Sequence, residues 1–322
     1  MSRETFPLRP LLRGSRITMT FMCVFVTLPL FSFGQEKLDG GSFESAGTPI
    51  HFEVIGEGAR SPIIVINGGP GFSHTYLHLS EVWEELARDG PVVFYDQRGT
   101  GRSQQLSQRG TSTLQDNIDD LEALRRHLNY EKVTLIGHSW GGYLSMAYAA
   151  QHPDRLEKLV LVGTAGPKWF EIPDRSGEPS DLFEYIFPDV AERRSRLSAR
   201  LGDVRAADDD VSAYLSMLFL SEDKRDDFIS GCKDCKLDRD VNRLVNEDLR
   251  RFDFTPQLAR FEFPVLIATG RYDINVAPLV AYRIHQKISN SELVFFEKSG
   301  HMPFYEEPSK FVEVVARFLD AR

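Results

Sequence analysis

Ser139 stands at the centre of Gly137-His138-Ser139-Trp140-Gly141. Before it runs Val-Thr-Leu-Ile at 133–136; after it comes a helix-period stretch of small and apolar residues at 143–149. A strand that turns directly into a helix holds its middle residue in a tight turn, and glycines two positions either side leave the room this needs. The turn exposes the Ser139 hydroxyl and sets the Trp140 backbone N–H at the helix start. A serine hydroxyl is a weak nucleophile unless a base takes its proton and an acid orients the base. Asp273 follows the apolar run at 265–268, and His301 follows the run at 293–296. Ser139, Asp273 and His301 therefore form a candidate acyl-transfer triad, with each member in a loop after a strand.

Such chemistry also needs two converging N–H groups for the developing oxyanion. Trp140 offers one. The loop Asn67-Gly68-Gly69-Pro70-Gly71 after the run at 63–66 offers the other, and Gly69 is the candidate. Of the remaining histidines, His138 is expected to pack inside the turn and His74 to line the pocket. His51, His127, His152 and His285 are expected at surface or helix-end positions. The segment Asp96-Gln-Arg-Gly-Thr-Gly-Arg-Ser103 lacks the spacing of a dinucleotide loop and the Lys-Ser end of a phosphate loop. It is expected to be a rigid turn with Asp96 or Arg98 tied to backbone.

These residues need a scaffold that brings strand ends to one edge. Continuous apolar runs at 63–66, 92–95, 133–136, 159–162 and 265–268 predict strands buried on both faces, with 52–55 and 293–296 completing the set. Helices are predicted at 76–88, 114–128, 139–151, 279–287 and 308–321. The alternation predicts an α/β fold, a mainly parallel sheet with helices on both faces. It stops between about 166 and 260, where the pattern is helical and charged at 181–187, 190–201, 208–220, 222–230 and 238–252. An inserted helical lid over the carboxyl edge of the sheet is the simplest account. The expected organisation is thus a core of residues 35–165 and 261–322 with a lid (cap) domain at 166–260.

Residues 1–34 read as a signal peptide. Arg3, Arg9, Arg13 and Arg16 precede an uncharged apolar stretch at 17–33, and cleavage before Gln35 is expected. A retained membrane anchor is the alternative. The expected location is periplasmic or extracellular. The whole chain carries a net charge of −9, and losing four arginines with Glu4 makes the remainder more acidic. Such a charge gives no electrostatic reason to bind nucleic acid or anionic lipid. Cys232 and Cys235 in an exported chain are expected to form a local disulfide clip. No metal and no cofactor is expected. A small molecule or short peptide is the expected partner, with no stable membrane partner; the oligomeric state is not legible.

The chain resembles the α/β-hydrolase superfamily and, within it, the prolyl iminopeptidase-like serine aminopeptidases. The resemblance is carried by Gly68-Gly-Pro-Gly71, Asp96 to Ser103, Gly137 to Gly142, Gly270-Arg-Tyr-Asp273 and Gly300-His301. It implies an α/β-hydrolase fold and release of an N-terminal residue, often proline, from short peptides. It also implies a lid carboxylate that holds the substrate's α-ammonium group. Asn246-Glu247 looks like the corresponding lid segment, which makes Glu247 the candidate, with Glu184, Glu222 and Asp248 as other lid carboxylates. Two features depart from the family. Asn67 stands where histidine commonly begins the loop, and no tryptophan-rich lid segment is present, so a proline preference does not carry over. The competing reading is a carboxylesterase or lactonase with the same triad.

Overall fold

The apolar runs become the strands they predict. In this computed structural model, which describes residues 40–106, 110–168, 218–233 and 235–321, eight strands form one sheet. They are β1 (Gly41–Ser45), β2 (Thr48–Ile55), β3 (Ile63–Ile66), β4 (Val92–Tyr95), β5 (Val133–His138), β6 (Leu156–Val162), β7 (Val265–Gly270) and β8 (Ser291–Phe296). Their spatial order is β1-β2-β4-β3-β5-β6-β7-β8. The β1–β2 and β2–β4 pairings are antiparallel, and all others are parallel. Every residue of β3, β4, β5 and β7 is buried, which is why these strands read as unbroken apolar runs.

Alternate residues feed the two faces. Ile64 and Ile66 join one apolar layer with the helices Leu114–His127 and Trp140–Gln151. Ile63 and Val65 join the other, with Trp83, Leu86, Phe311 and Val315 from the helices Val82–Leu86 and Pro308–Asp320. Full burial of one such side chain contributes about 1.5–3 kcal/mol, so the two layers dominate the stability of the sheet. The helix Leu114–His127 starts on a capping box, where Thr113 and Asp116 satisfy each other's backbone N–H.

Two points differ from the sequence reading. β1 was not legible in the sequence. The helix expected at 76–88 is a 3-10 helix His74–Leu79 and a separate α-helix Val82–Leu86. The Leu77 carbonyl takes the Trp83 indole N–H at 2.8 Å and the Ser80 backbone N–H at 3.2 Å, so the first helix ends there. Ser80 Oγ then donates to the Phe304 carbonyl at 2.6 Å.

Of the expected lid, the stretches 181–187 and 190–201 and most of 208–220 lie outside the described residues, as do Glu184 and the expected signal peptide. The helices Glu222–Gly231 and Arg239–Leu249 are present between β6 and β7. Cys232 and Cys235 are joined as a disulfide just beyond the first of them. Among the described residues, no helix is long and apolar enough to cross a membrane.

Candidate active site

The carboxyl ends of β3, β4, β5, β7 and β8 carry the site, the edge where open parallel sheets bind ligands. Ser139 lies between β5 and the helix Trp140–Gln151 with φ 56° and ψ −118°, a conformation a non-glycine residue adopts only under constraint. The constraint is close backbone packing. A Cβ at Gly141 would run into the Ile66 carbonyl, so the helix start can lie this near β3 only with glycine there. The Ser139 backbone is pinned on both sides, its N–H donating to Val162 O at 2.8 Å and its carbonyl accepting from Gly142 N at 3.0 Å.

Asp273 and His301 come together from β7 and β8. His301 Nδ1 lies 2.7 Å from Asp273 Oδ2, and both residues are 2% exposed or less. The other carboxylate oxygen accepts the backbone N–H groups of Asn275 and Val276, each at 2.9 Å. Asp273 is thereby held as a hydrogen-bond acceptor, which assigns the His301 proton to Nδ1 and leaves Nε2 as the acceptor. Asn275 Nδ2 lies 3.2 Å from that Nε2. Ser139 and His301 line one small cavity with Gly68, Gly69 and His138. Ser139 and Gly69 also face a larger cavity of about 650 Å³, walled by Asn246, Leu258, Asn275 and Val276 among others.

The segment at 96–103 ties the site together. Gln97 Nε2 donates to the Asn67 carbonyl at 3.0 Å, and Gln97 Oε1 accepts from Trp140 Nε1 at 2.8 Å. Asn67 Nδ2 in turn donates to Gly68 O at 3.0 Å and Phe72 O at 2.7 Å, closing the glycine loop on itself. Gly69 within that loop has φ 135°, open to glycine alone. Asp96 accepts backbone N–H groups from Arg102 at 2.7 Å and His74 at 3.1 Å, the expected rigid turn. Arg98 pairs instead with the buried carboxylate of Asp120, with Nε at 2.7 Å from Oδ2.

His138 is buried in the turn. Its Nε2 lies 3.1 Å from the His301 carbonyl, which can only accept, so Nε2 carries the proton. Nδ1 then accepts from the Tyr76 hydroxyl at 2.7 Å, and that hydroxyl accepts from Gly68 N–H at 2.6 Å. Burial, reinforced by the neighbouring His301, holds the His138 pKa well below the ordinary histidine value. A neutral chain of hydrogen bonds thus links the glycine loop to the His301 loop. Glu306 braces that loop from the other side. One oxygen accepts from Gly300 N at 2.6 Å, and the other from Leu220 N and Ser221 N at 2.6 and 2.9 Å.

Two placements differ from the sequence reading. Glu247 does not reach the cavity. Its carboxylate is 63% exposed and lies 3.4 Å from Arg243 on the outer face of the helix Arg239–Leu249, while Asn246 beside it lines the cavity. His74 does not line either cavity; it is fully buried against Asp96. Among the other lid carboxylates, Glu222 is 75% exposed, and Asp248 Oδ2 accepts the Leu114 backbone N–H at 2.9 Å. Sequence reasoning missed Gln97, Tyr76, Asn275 and Glu306 as site supports. Only Gln97 carried a signal, through its position at the end of a buried strand.

Residues 61–308 match the family described as alpha/beta hydrolase fold. The chain belongs to that family. It is 30% identical to a proline iminopeptidase of Saccharolobus solfataricus over 92% of this chain and 96% of that one. Two solved structures share the fold of this α/β hydrolase. An esterase from Exiguobacterium antarcticum matches with TM-score 0.65 and 24% identity, covering 88% of this chain and 100% of that one. A proline iminopeptidase from Mycobacterium smegmatis matches with TM-score 0.66 and 22% identity, covering 87% and 97%. The similarity to proteins named proline iminopeptidase makes the family prolyl iminopeptidase-like.

Proposed function

We propose that this α/β hydrolase is a serine aminopeptidase of the prolyl iminopeptidase kind. The observation that carries this reading is the 2.7 Å contact between His301 Nδ1 and Asp273 Oδ2, at the edge of a cavity that Ser139 shares, in a chain related throughout to proline iminopeptidases. Ser139 Oγ attacks the carbonyl carbon of the substrate's first residue as His301 Nε2 takes the hydroxyl proton. The negative oxygen settles against the N–H groups of Gly69 and Trp140. Collapse breaks the C–N bond, and the leaving amine takes the proton from Nε2. Water, deprotonated by Nε2, then attacks the ester carbonyl and frees the amino acid and Ser139. Asp273 stays ionised and keeps the ring in the tautomer that accepts at Nε2.

A carboxylesterase or lactonase is the second reading, and one observation favours it. The described wall of the large cavity includes Lys168, Arg283 and Lys287 but no carboxylate to receive an α-ammonium group. The aminopeptidase reading, with a lid at 166–260, requires a carboxylate beyond this described wall; Glu184, one of the lid carboxylates named from the sequence, lies outside the described residues. Residues 1–34 act as a cleaved export signal in either reading. Labelling with a fluorophosphonate tests the shared chemistry. The adduct is expected on Ser139 and is expected to vanish in Ser139→Ala. An adduct on another residue, or turnover retained by pure Ser139→Ala, would overturn the nucleophile assignment.

A further inference from the structure

Two elements bring together imidazoles and a carboxylate that the proposed hydrolytic reaction does not use. Glu53 comes from β2, and His74 and His78 from the 3-10 helix His74–Leu79. Glu53 Oε2 lies 3.3 Å from His74 Nε2 and 3.2 Å from His78 Nε2, and the three ligand atoms all lie within 4.8 Å of one another. We propose that Glu53, His74 and His78 form a binding site for a divalent metal of the zinc class, separate from the triad.

Four observations carry it. First, the spacing fits. With metal–nitrogen and metal–oxygen bonds of about 2.0–2.1 Å, tetrahedral ligand atoms stand about 3.3 Å apart, the separation found on both Glu53 edges. Second, His74 is fully buried, yet its Nε2 has no hydrogen-bond partner despite the nearby carboxylate, which lies off the direction a ring N–H would need. A buried ring nitrogen left in this way is costly unless something else completes it. Third, the opposite ring atom, Nδ1, lies 2.8 Å from Asp96 Oδ1. That carboxylate fixes the proton on Nδ1 and presents Nε2 as a lone pair, the arrangement that orients and strengthens a metal-binding imidazole. Fourth, a further imidazole is close: His51 Nε2 stands 3.6 Å from Glu53 Oε1.

Arg102 is the opposing group. Its guanidinium contacts Glu53 Oε1, the oxygen that faces away from His74 and His78, so Oε2 remains available. Three protein ligands leave a fourth position for water or for His51. A donor set of two imidazoles and one carboxylate suits zinc, with copper as a stronger competitor and calcium or magnesium disfavoured. The site joins β2 to the segment that follows the Gly68–Gly71 loop, so occupancy raises the stability of that region, growing with the logarithm of metal concentration above Kd. The sequence did not reveal the set because Glu53 lies on a separate strand, 21 positions before the His74-x-x-x-His78 pair, and that pair alone does not mark a site.

The test uses tag-free protein, freed of metal by chelation, with the disulfide left oxidised. Zinc titration by calorimetry and cobalt titration by visible absorbance are run on wild type, His78→Gln, Glu53→Gln and Arg102→Ala. One equivalent of zinc is expected, with a rise in Tm and a tetrahedral cobalt spectrum that zinc bleaches. His78→Gln and Glu53→Gln are each expected to weaken binding by about tenfold or more. Arg102→Ala is expected to tighten it, because a nearby cation is removed, and it tests the site even if a ligand variant fails to fold. No binding in wild type, or unchanged affinity in both ligand variants, would overturn the proposal.

Discussion

Gln97 and Trp140 are joined by a hydrogen bond of 2.8 Å from the indole N–H to the side-chain carbonyl. The Gln97 amide also holds the Asn67 carbonyl, so one side chain spans the glycine loop and the helix start that would supply the two oxyanion donors. Gln97 touches no reacting atom; it sets the distance between the groups that do.

Gln97→Ala is therefore expected to lower kcat on the order of tenfold while changing KM less, since a donor shifted by a fraction of an ångström loses part of a contribution worth 10²–10³ in rate. Removing an acceptor from a fully buried indole also costs about 1–3 kcal/mol, so a lower Tm accompanies the effect. A lower Tm with kcat unchanged would reduce Gln97 to a structural residue.

Asn275 Nδ2 sits 3.2 Å from His301 Nε2, the atom proposed to receive the Ser139 proton, so in the proposed reaction the amide would compete with the serine hydroxyl. Asn275→Ala is expected to speed phosphonylation of Ser139 by about two- to tenfold, the range of a net hydrogen bond. A fall of tenfold or more would show instead that the amide supports the base.

Glu247→Ala is expected to leave activity within about twofold on both amine-bearing and acetylated substrates, and stability within about 0.5 kcal/mol. Its exposed pair with Arg243 predicts nothing larger. A selective loss on amine-bearing substrates would return it to the substrate site.

The reasons for these successes and failures of the sequence are physical. Strands buried on both faces, such as β3 and β5, carry no alternation and stand out as apolar runs. β1 is an edge strand with only Phe43 and Ser45 buried, and it left no such signature. The gathering of Ser139, Asp273 and His301 was legible because each follows a strand, and parallel strands deliver their loops to one edge. Glu247 was misplaced although its helix held the answer. Val241, Val245 and Leu249 mark the buried stripe at a spacing of four, and Glu247 lies two positions, about 200°, from Val245. Gln97, Tyr76 and Glu306 act through long-range hydrogen bonds, which no local pattern records.

Glu122 supplies a pH prediction. Burial opposes its ionisation, but hydrogen bonds from Arg125, Tyr148 and Arg126 outweigh burial and hold its pKa at about 2, against 4.5 for an ordinary glutamate. A depressed carboxylate pKa adds stability above the unfolded value and loses it as pH falls through the folded one. The Tm gap between wild type and Glu122→Gln is thus expected to be full at pH 7 and to close from about pH 4.5 towards 2. A gap constant across that window would contradict the assignment.

The central claim is tested most directly by comparing prolyl and alanyl arylamides bearing a free amine with the same compounds acetylated. Short p-nitrophenyl esters run in parallel, and Ser139→Ala serves as the blank. The account predicts turnover of the free arylamides that acetylation abolishes and Ser139→Ala lacks. Ester turnover alone, indifferent to an amine, would contradict the aminopeptidase reading and leave a serine esterase.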